Sequence, residues 1–300
     1  MAFEKKENFN IKNLTAYKIG GVIDCVYFPT DNDEFVKICT EIPDITVLGN
    51  LSNVLISDLG CSKKVILTSK MDKISIDGKK VTAQCGVKGQ KLAQAVKEKG
   101  LSGLEFLIGF PGSVGGEVYM NASANGQAIS DNFVKALCYA GGKTFELSKE
   151  EMKFGYRSSI CQLKDIKILS AEFELIEEDK EKIDERMKEY LNFRKLHQPL
   201  LNLPNCGSVF KNPTGDSAGR LLDDCGAKNL SKGGARVWEN HANFIVNAAN
   251  ATSTDVLELI YEMQSCVFEK YGIKLEPEVI YLGGNSQKEA ELWDIICQKI

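Results

Sequence analysis

Between residues 17 and 176 the apolar positions fall into short runs separated by Gly, Asn and Asp: Val22 to Phe28, Ile45 to Leu48, Val65 to Thr68, Val81 to Cys85 and Ile166 to Ile176. Runs of this length bounded by turn residues predict strands. The last of them alternates apolar and polar through Ala171, Phe173 and Leu175, the period of a strand with one buried face. Gly141-Gly142 predicts a hairpin turn, because a two-residue hairpin loop favours positive φ. One helix interrupts the pattern, with Leu92, Ala95 and Val96 on its apolar face and Gly100 at its end. At 177 the period changes. A charged run leads into Ile183, Met187, Tyr190, Leu191 and Arg194, spaced along one face of a long helix, and a domain boundary is expected at its start. Beyond it the pattern predicts a helix near 217 to 225 ended by Gly226, a strand from Phe244 to Asn247, and a helix from Thr254 to Tyr271. The last helix carries Val256, Leu259, Ile260, Met263 and Val267 on one face. The chain therefore reads as α+β, with helix and strand alternating in a smaller C-terminal α/β domain.

Three hundred residues, 43% of them apolar, are enough for two domains with proper cores. Thirty-seven basic against 41 acidic residues give a net charge of −4 without a Lys/Arg block, so no nucleic-acid partner is expected and any phosphate site must be local. The ten cysteines are scattered without a C-x-x-C pair, and His197 and His241 are the only histidines. Free thiols and no metal site are expected. No apolar run approaches the length of a membrane span and residues 1 to 10 are polar, so the expected location is the cytoplasm.

Candidate chemistry concentrates first in residues 106 to 121, where Gly109, Gly112, Gly115 and Gly116 stand with Pro111 and Ser113 in an otherwise apolar segment. Backbone amides freed of Cβ atoms can turn inward on an anion, and a dinucleotide pyrophosphate is the natural guest. A second polar turn, Gly49-Asn50-Leu51-Ser52-Asn53, lies between two apolar runs; two such turns facing one ligand would form a phosphate clamp. The glycines at 109, 112 and 115 do not make the G-x-G-x-x-G fingerprint. Gly142-Lys143-Thr144 is not a P-loop ending either, because Leu137 occupies the place of that motif's first glycine.

These two segments, with Tyr17-Lys18-Ile19-Gly20-Gly21 upstream, resemble the FAD-binding domain of the vanillyl-alcohol-oxidase type. Phe154 to Ser159, Asn205 to Pro213 and Leu275 to Val279 further resemble the UDP-N-acetylenolpyruvoylglucosamine reductases of peptidoglycan synthesis. The resemblance implies a two-lobed FAD-binding domain at 17–180, split near 70, and a substrate-binding domain at 190–285. It also implies noncovalent FAD, NADPH as hydride donor and a UDP-sugar substrate.

By the same resemblance, Ser208 delivers the proton to C2 after hydride has reached C3 of an enolpyruvyl ether. Arg157 and Glu278 then stabilise the carboxylate end. Taken alone, Ser208 reads as a turn cap, Arg157 as one half of a surface ion pair and Glu278 as a solvated strand-end acid. The chemistry is nonetheless consistent. A serine hydroxyl becomes a sensible donor only toward a strongly basic carbanion or enolate, and no histidine is placed to make Ser208 a nucleophile. A guanidinium grips a carboxylate in a paired fashion, and Glu278 is expected in protonated or proton-sharing form beside developing negative charge. Lys211 and Asn212 are expected on the UDP-sugar. Gly49, Asn50, Ser52, Asn53, Pro111, Gly112, Ser113, Val114, Gly115 and Gly116 are expected at the pyrophosphate, and Asn121 at the ribose or flavin ring. The resembling family commonly carries glycine where this chain has Leu51, whose Cβ must avoid positive φ or accept strain. Two rivals stand beside this reading. One is an alcohol or sugar oxidase on the same fold, although no histidine is present within 17–180 to tether FAD. The other is a nucleotide-sugar-binding regulator without catalysis, against which the joint presence of Arg157, Ser208 and Glu278 argues.

Overall fold

The computed structural model describes residues 4–200 and 202–298. In chain order the described residues form β1 (Lys5–Asn10), β2 (Val22–Tyr27), α1 (Asn32–Glu41), β3 (Thr46–Leu48), β4 (Val54–Ile56), β5 (Cys61–Leu67), β6 (Ile74–Asp77) and β7 (Lys80–Gln84). There follow α2 (Gly89–Lys97), β8 (Leu101–Ser102), α3 (Val114–Tyr119), β9 (Ser123–Ala124), β10 (Gln127–Ala128), β11 (Phe133–Ala140) and β12 (Lys143–Ser148). Next come α4 (Ile160–Leu163), β13 (Lys167–Glu174), β14 (Ile176–Glu177), α5 (Lys180–His197), β15 (Asn205–Ser208) and α6 (Ala218–Asp224). The series closes with β16 (Ser231–Lys232), β17 (Ala235–Val237), β18 (Phe244–Asn247), α7 (Ser253–Tyr271), β19 (Ile280–Leu282) and α8 (Gln287–Cys297).

These elements belong to two compact units. The first takes residues up to Lys6, 26–50 and 64–194; the second takes 7–25, 51–63 and the chain from Lys195 on. The domains expected at 17–180 and 190–285 are each continuous in sequence, whereas β1, β2 and β5 each begin in one unit and end in the other.

In the first unit a five-stranded antiparallel sheet runs β12-β11-β13-β7-β6. β13 sits between β11 and β7, with Ala171 opposite both Ala136 and Ala83, and sends Leu169, Ala171 and Phe173 inward. The expected run to Ile176 breaks after Glu174, and Ile176 pairs instead with Ser102 of β8. The hairpin falls where the glycine pair predicts it: Ala140 faces Lys143, and Gly141 and Gly142 take φ of 56° and 79°. Helix α2 buries Leu92, Ala93 and Val96, so Ala93 rather than Ala95 completes its inner face. Ile183 and Met187 of α5 close the same core.

The second unit carries the antiparallel sheet β15-β18-β17-β16 and the parallel pair β4-β19. Its core is built on α7, which starts at a capping box of Thr252 and Asp255 and ends at Gly272 with φ of 67°. The five apolar positions expected on α7 are all buried, together with Leu257. Tyr17, Ile19 and Leu55 join this core from the N-terminal segments.

Candidate active site

In the first unit, a 3₁₀ turn at Glu105–Gly109 delivers the chain through Phe110, Pro111 and Gly112 into the short helix α3. The Val114 amide donates to Val87 O at 2.8 Å and the Gly115 amide to Cys85 O at 2.8 Å, so both are committed to backbone rather than turned outward. Gly115 has a packing reason to be glycine, since a Cβ there would lie 2.8 Å from Cys85 Cβ. Gly116 has none: it is exposed and an added Cβ would meet only Ser113 Oγ, at 3.8 Å. The two polar turns expected to cooperate meet here, for Asn50 Nδ2 donates to Pro111 O and a Cβ at Gly49 would collide with Ser113 Oγ. Ser113 Oγ and both carboxyl oxygens of Glu117 are buried without a hydrogen-bond partner. Burial alone pushes the Glu117 carboxyl up to about 8.

Also in this unit, Arg157 lies in a tight turn closed by reciprocal bonds, Gly155 N to Ser158 O at 3.1 Å and Ser158 N to Gly155 O at 3.3 Å. Its φ of 51° is uncommon for a residue with a Cβ and is held by the surroundings. Gln162 Nε2 donates to Arg157 O at 3.2 Å, and Asn121 Nδ2 donates to Gly155 O at 2.9 Å. Asn121, expected at the cofactor, thus braces the Arg157 turn and also accepts from Ser130 N at 3.3 Å. The guanidinium donates to Ser123 Oγ at 2.7 Å and stacks over the Tyr156 ring at 5.2 Å.

In the second unit Ser208 ends β15, after Gly207 at φ 77° in an irregular stretch of the pairing with β18. Val209, the residue after Ser208, is tied to Glu278, whose amide donates to Val209 O at 2.8 Å. Asn243, to which the sequence alone gives no role, fixes this segment: its Nδ2 donates to Phe210 O at 2.8 Å and its Oδ1 accepts from Phe210 N at 2.9 Å. Asn53 Nδ2 donates to Glu278 O at 2.9 Å, so this expected cofactor ligand tethers the glutamate backbone. Lys211 Nζ pairs with Glu276 at 2.6 Å, and Asn212 Oδ1 accepts from the Ala218 amide at 3.0 Å. Leu51 takes φ of 54° while 4% exposed; the strain foreseen for a Cβ at that place is accepted in exchange for burial. His241 is a packed histidine: burial pulls it below its usual range, its ring lies 4.9 Å from that of Phe244, and its Nδ1 accepts from Asn243 N.

Comparison with known proteins bears on both units. Residues 23–147 match the FAD binding domain family, and residues 198–282 match the C-terminal domain of UDP-N-acetylenolpyruvoylglucosamine reductase. The chain is 40% identical over 280 residues to the UDP-N-acetylenolpyruvoylglucosamine reductase of Caldicellulosiruptor bescii, covering 91% of this chain and 89% of that one. It is 41% identical over 285 residues to the Bacillus subtilis enzyme of that name, covering 93% and 94%. The crystal structure of UDP-N-acetylenolpyruvylglucosamine reductase from Thermus caldophilus superposes with a TM-score of 0.80 at 34% identity, over 94% of this chain and 99% of that one.

Proposed function

The chain belongs to the UDP-N-acetylenolpyruvoylglucosamine reductase family, and on that premise we propose how its residues divide the reaction between them. The protein is an FAD-dependent oxidoreductase that uses NADPH to reduce UDP-N-acetylglucosamine enolpyruvate to UDP-N-acetylmuramate in peptidoglycan precursor synthesis. FAD held by this chain would supply the hydride chemistry that links NADPH to the enolpyruvyl group. The glycine loop fits such a group: it holds buried polar atoms without protein partners and an exposed glycine that no packing contact requires.

In this reading residues 23–147 lie in the FAD domain, where Asn50, Pro111, Gly112, Ser113 and Gly116 line the pyrophosphate site. Gly49 and Gly115 serve it by allowing close packing. Residues 198–282 belong to the substrate-binding domain, where Lys211 and Asn212 address the UDP-sugar. Arg157 holds the substrate carboxylate through paired N–H donors. Its constrained turn keeps the guanidinium oriented before substrate arrives. Ser208 Oγ protonates C2, the carbon left electron-rich once C3 has gained hydride, and Glu278 shares a proton with the same end of the substrate. A charged Glu278 would oppose the negative charge that builds there. The observation that supports the assignment most directly is the Glu278 N to Val209 O bond, which sets Ser208 and Glu278 on adjoining backbone. A UDP-sugar substrate and NADPH as hydride donor support a cytoplasmic location for this reaction. Among the described residues no helix is long and apolar enough to cross a membrane.

The test is anaerobic. NADPH alone should bleach the flavin of the purified protein, the enolpyruvyl substrate should restore its colour, and denaturation should release free FAD. Bleaching without recovery by the substrate would favour the non-catalytic regulator, and colour that stays with the denatured chain would favour a tethered flavin.

A further inference from the structure

The glycine loop holds one group for which the reaction above has no task. Glu117 on α3 is 3% exposed, and neither of its carboxyl oxygens has a hydrogen-bond partner. The chain clears space for it: a Cβ at Gly89 would collide with the carboxyl, and one at Gly112 would lie 2.9 Å from Oε1. Beside it the buried Ser113 hydroxyl is also without a partner, under Gly49. Leaving a buried polar group unsatisfied is costly, and two such groups in one short segment mark a place completed by a ligand.

We propose that Glu117 is an FAD-binding residue acting as a neutral acid: its carboxyl O–H donates a hydrogen bond to a phosphate oxygen of the cofactor, beside Ser113, so that flavin binding requires one held proton. This rests on the reading of 111–116 as the FAD loop. An ionised Glu117 would set a third negative charge against the pyrophosphate and have no hydrogen to give it, whereas the protonated form supplies the missing donor. Burial raises the carboxyl to about 8, and no surrounding charge offsets it. On the turn before α2, Lys88 is exposed and the Cys85 thiol contacts Met71 Sδ. On α2, Lys91 is paired with Asp72 and Lys97 with Asp184. Glu105, at the start of the preceding turn, is held by Arg186, and Tyr119 on α3 itself is pushed up by burial.

The linkage has a definite sign. Below the carboxyl's titration the proton is already in place and FAD affinity is constant; above it each FAD must bind with a proton, and the dissociation constant climbs by about tenfold per pH unit. The measurement is flavin fluorescence of free FAD after dilution of full-length holoprotein, from about pH 6 to about pH 9.5, with circular dichroism to confirm folding. Wild type should release FAD progressively above about pH 8. Glu117→Gln keeps an N–H donor that does not titrate, so its affinity should stay flat across the range and within about threefold of wild type at neutral pH. A flat wild-type profile, or the same climb in the glutamine variant, overturns the proposal. Gly116→Val tests the loop itself, since an added Cβ there meets only Ser113 Oγ, at 3.8 Å. If the folded variant loses flavin, the loop reading stands even when Glu117 fails; if it keeps flavin, the loop reading and the proposal fall together.

Discussion

The glycine loop and the Ser208 segment solve opposite problems. Around Ser208 the backbone is held at every turn: Asn243 engages both the amide and the carbonyl of Phe210, Glu278 N closes on Val209 O, and Asn53 holds Glu278 O. Around Ser113 and Glu117 the amides of Val114, Gly115 and Glu117 are bonded to backbone, but buried side-chain oxygens have no partner. A residue that must hand over a proton at a set position needs a fixed main chain beneath it. A cofactor cradle needs unsatisfied polar groups that the cofactor completes, and it carries their desolvation cost while empty.

Four experiments probe that contrast, and the largest effect is expected at the fixed site. Ser208→Ala removes the proton donor only, so NADPH should bleach the flavin at an unchanged rate while reoxidation by substrate slows by about 10² to 10⁴. Stopped-flow measurement of the two half-reactions separates them, and normal reoxidation would remove Ser208 from the mechanism. The next effect belongs to the empty cradle. The Glu117 carboxyl is raised from 4.5 to about 8 by folding, so the folded state holds a proton that the unfolded chain releases above 4.5. The stability of flavin-free protein should therefore be greatest below about pH 4.5 as far as this group is concerned, and decline through pH 8, by a few kcal/mol in all. Denaturant titrations at several pH values should show that decline in wild type, and Glu117→Gln should lack it.

Asn243→Leu comes third. It strands the Phe210 amide and carbonyl in a buried place and should cost about 2–5 kcal/mol of stability. Its flavin content should be normal once folded, and a cost below about 0.5 kcal/mol would mean that the clamp does not matter. Lys211→Ala should do least. Its ion pair with Glu276 involves an acid 68% exposed, so the loss of stability should stay below about 1 kcal/mol. Its effect should appear in the KM for the UDP-sugar, and an unchanged KM would return Lys211 to the role of a surface charge.

Features set by nearby residues were legible in the sequence. Gly141-Gly142 predicted its hairpin because the turn needs positive φ at both residues, and α7 followed from five apolar positions on one face. The boundary of α2 was less clear, since the helix proper stops at Lys97 while Gly100, at φ 66°, terminates the following turn. Features set by distant partners were not legible. Nothing near Asn243 announces that it grips Phe210, because the interaction is with a backbone 33 positions away. Glu117 has the look of an outward-facing helix residue until Gly89 and Gly112 are seen against it. Asn53 was expected at the pyrophosphate and Asn121 at the ribose or flavin ring; in the structure their Nδ2 groups donate to Glu278 O and to Gly155 O in the Arg157 turn.

The parallel pairing of Val54 with Ile280 has a consequence for how the chain is made. At a ribosomal rate of about 5–20 residues per second, β4 leaves the synthesis machinery roughly 10–45 seconds before its partner strand exists. Tyr17, Ile19 and Leu55 wait through the same interval for the α7 residues that will cover them. The second unit cannot be completed until β19 has been made, and the early segments spend that time as sticky, unpaired chain. Chaperone dependence during synthesis should accordingly track residues 7–25 and 51–63, while the sheet between β6 and β13 can close on its own schedule.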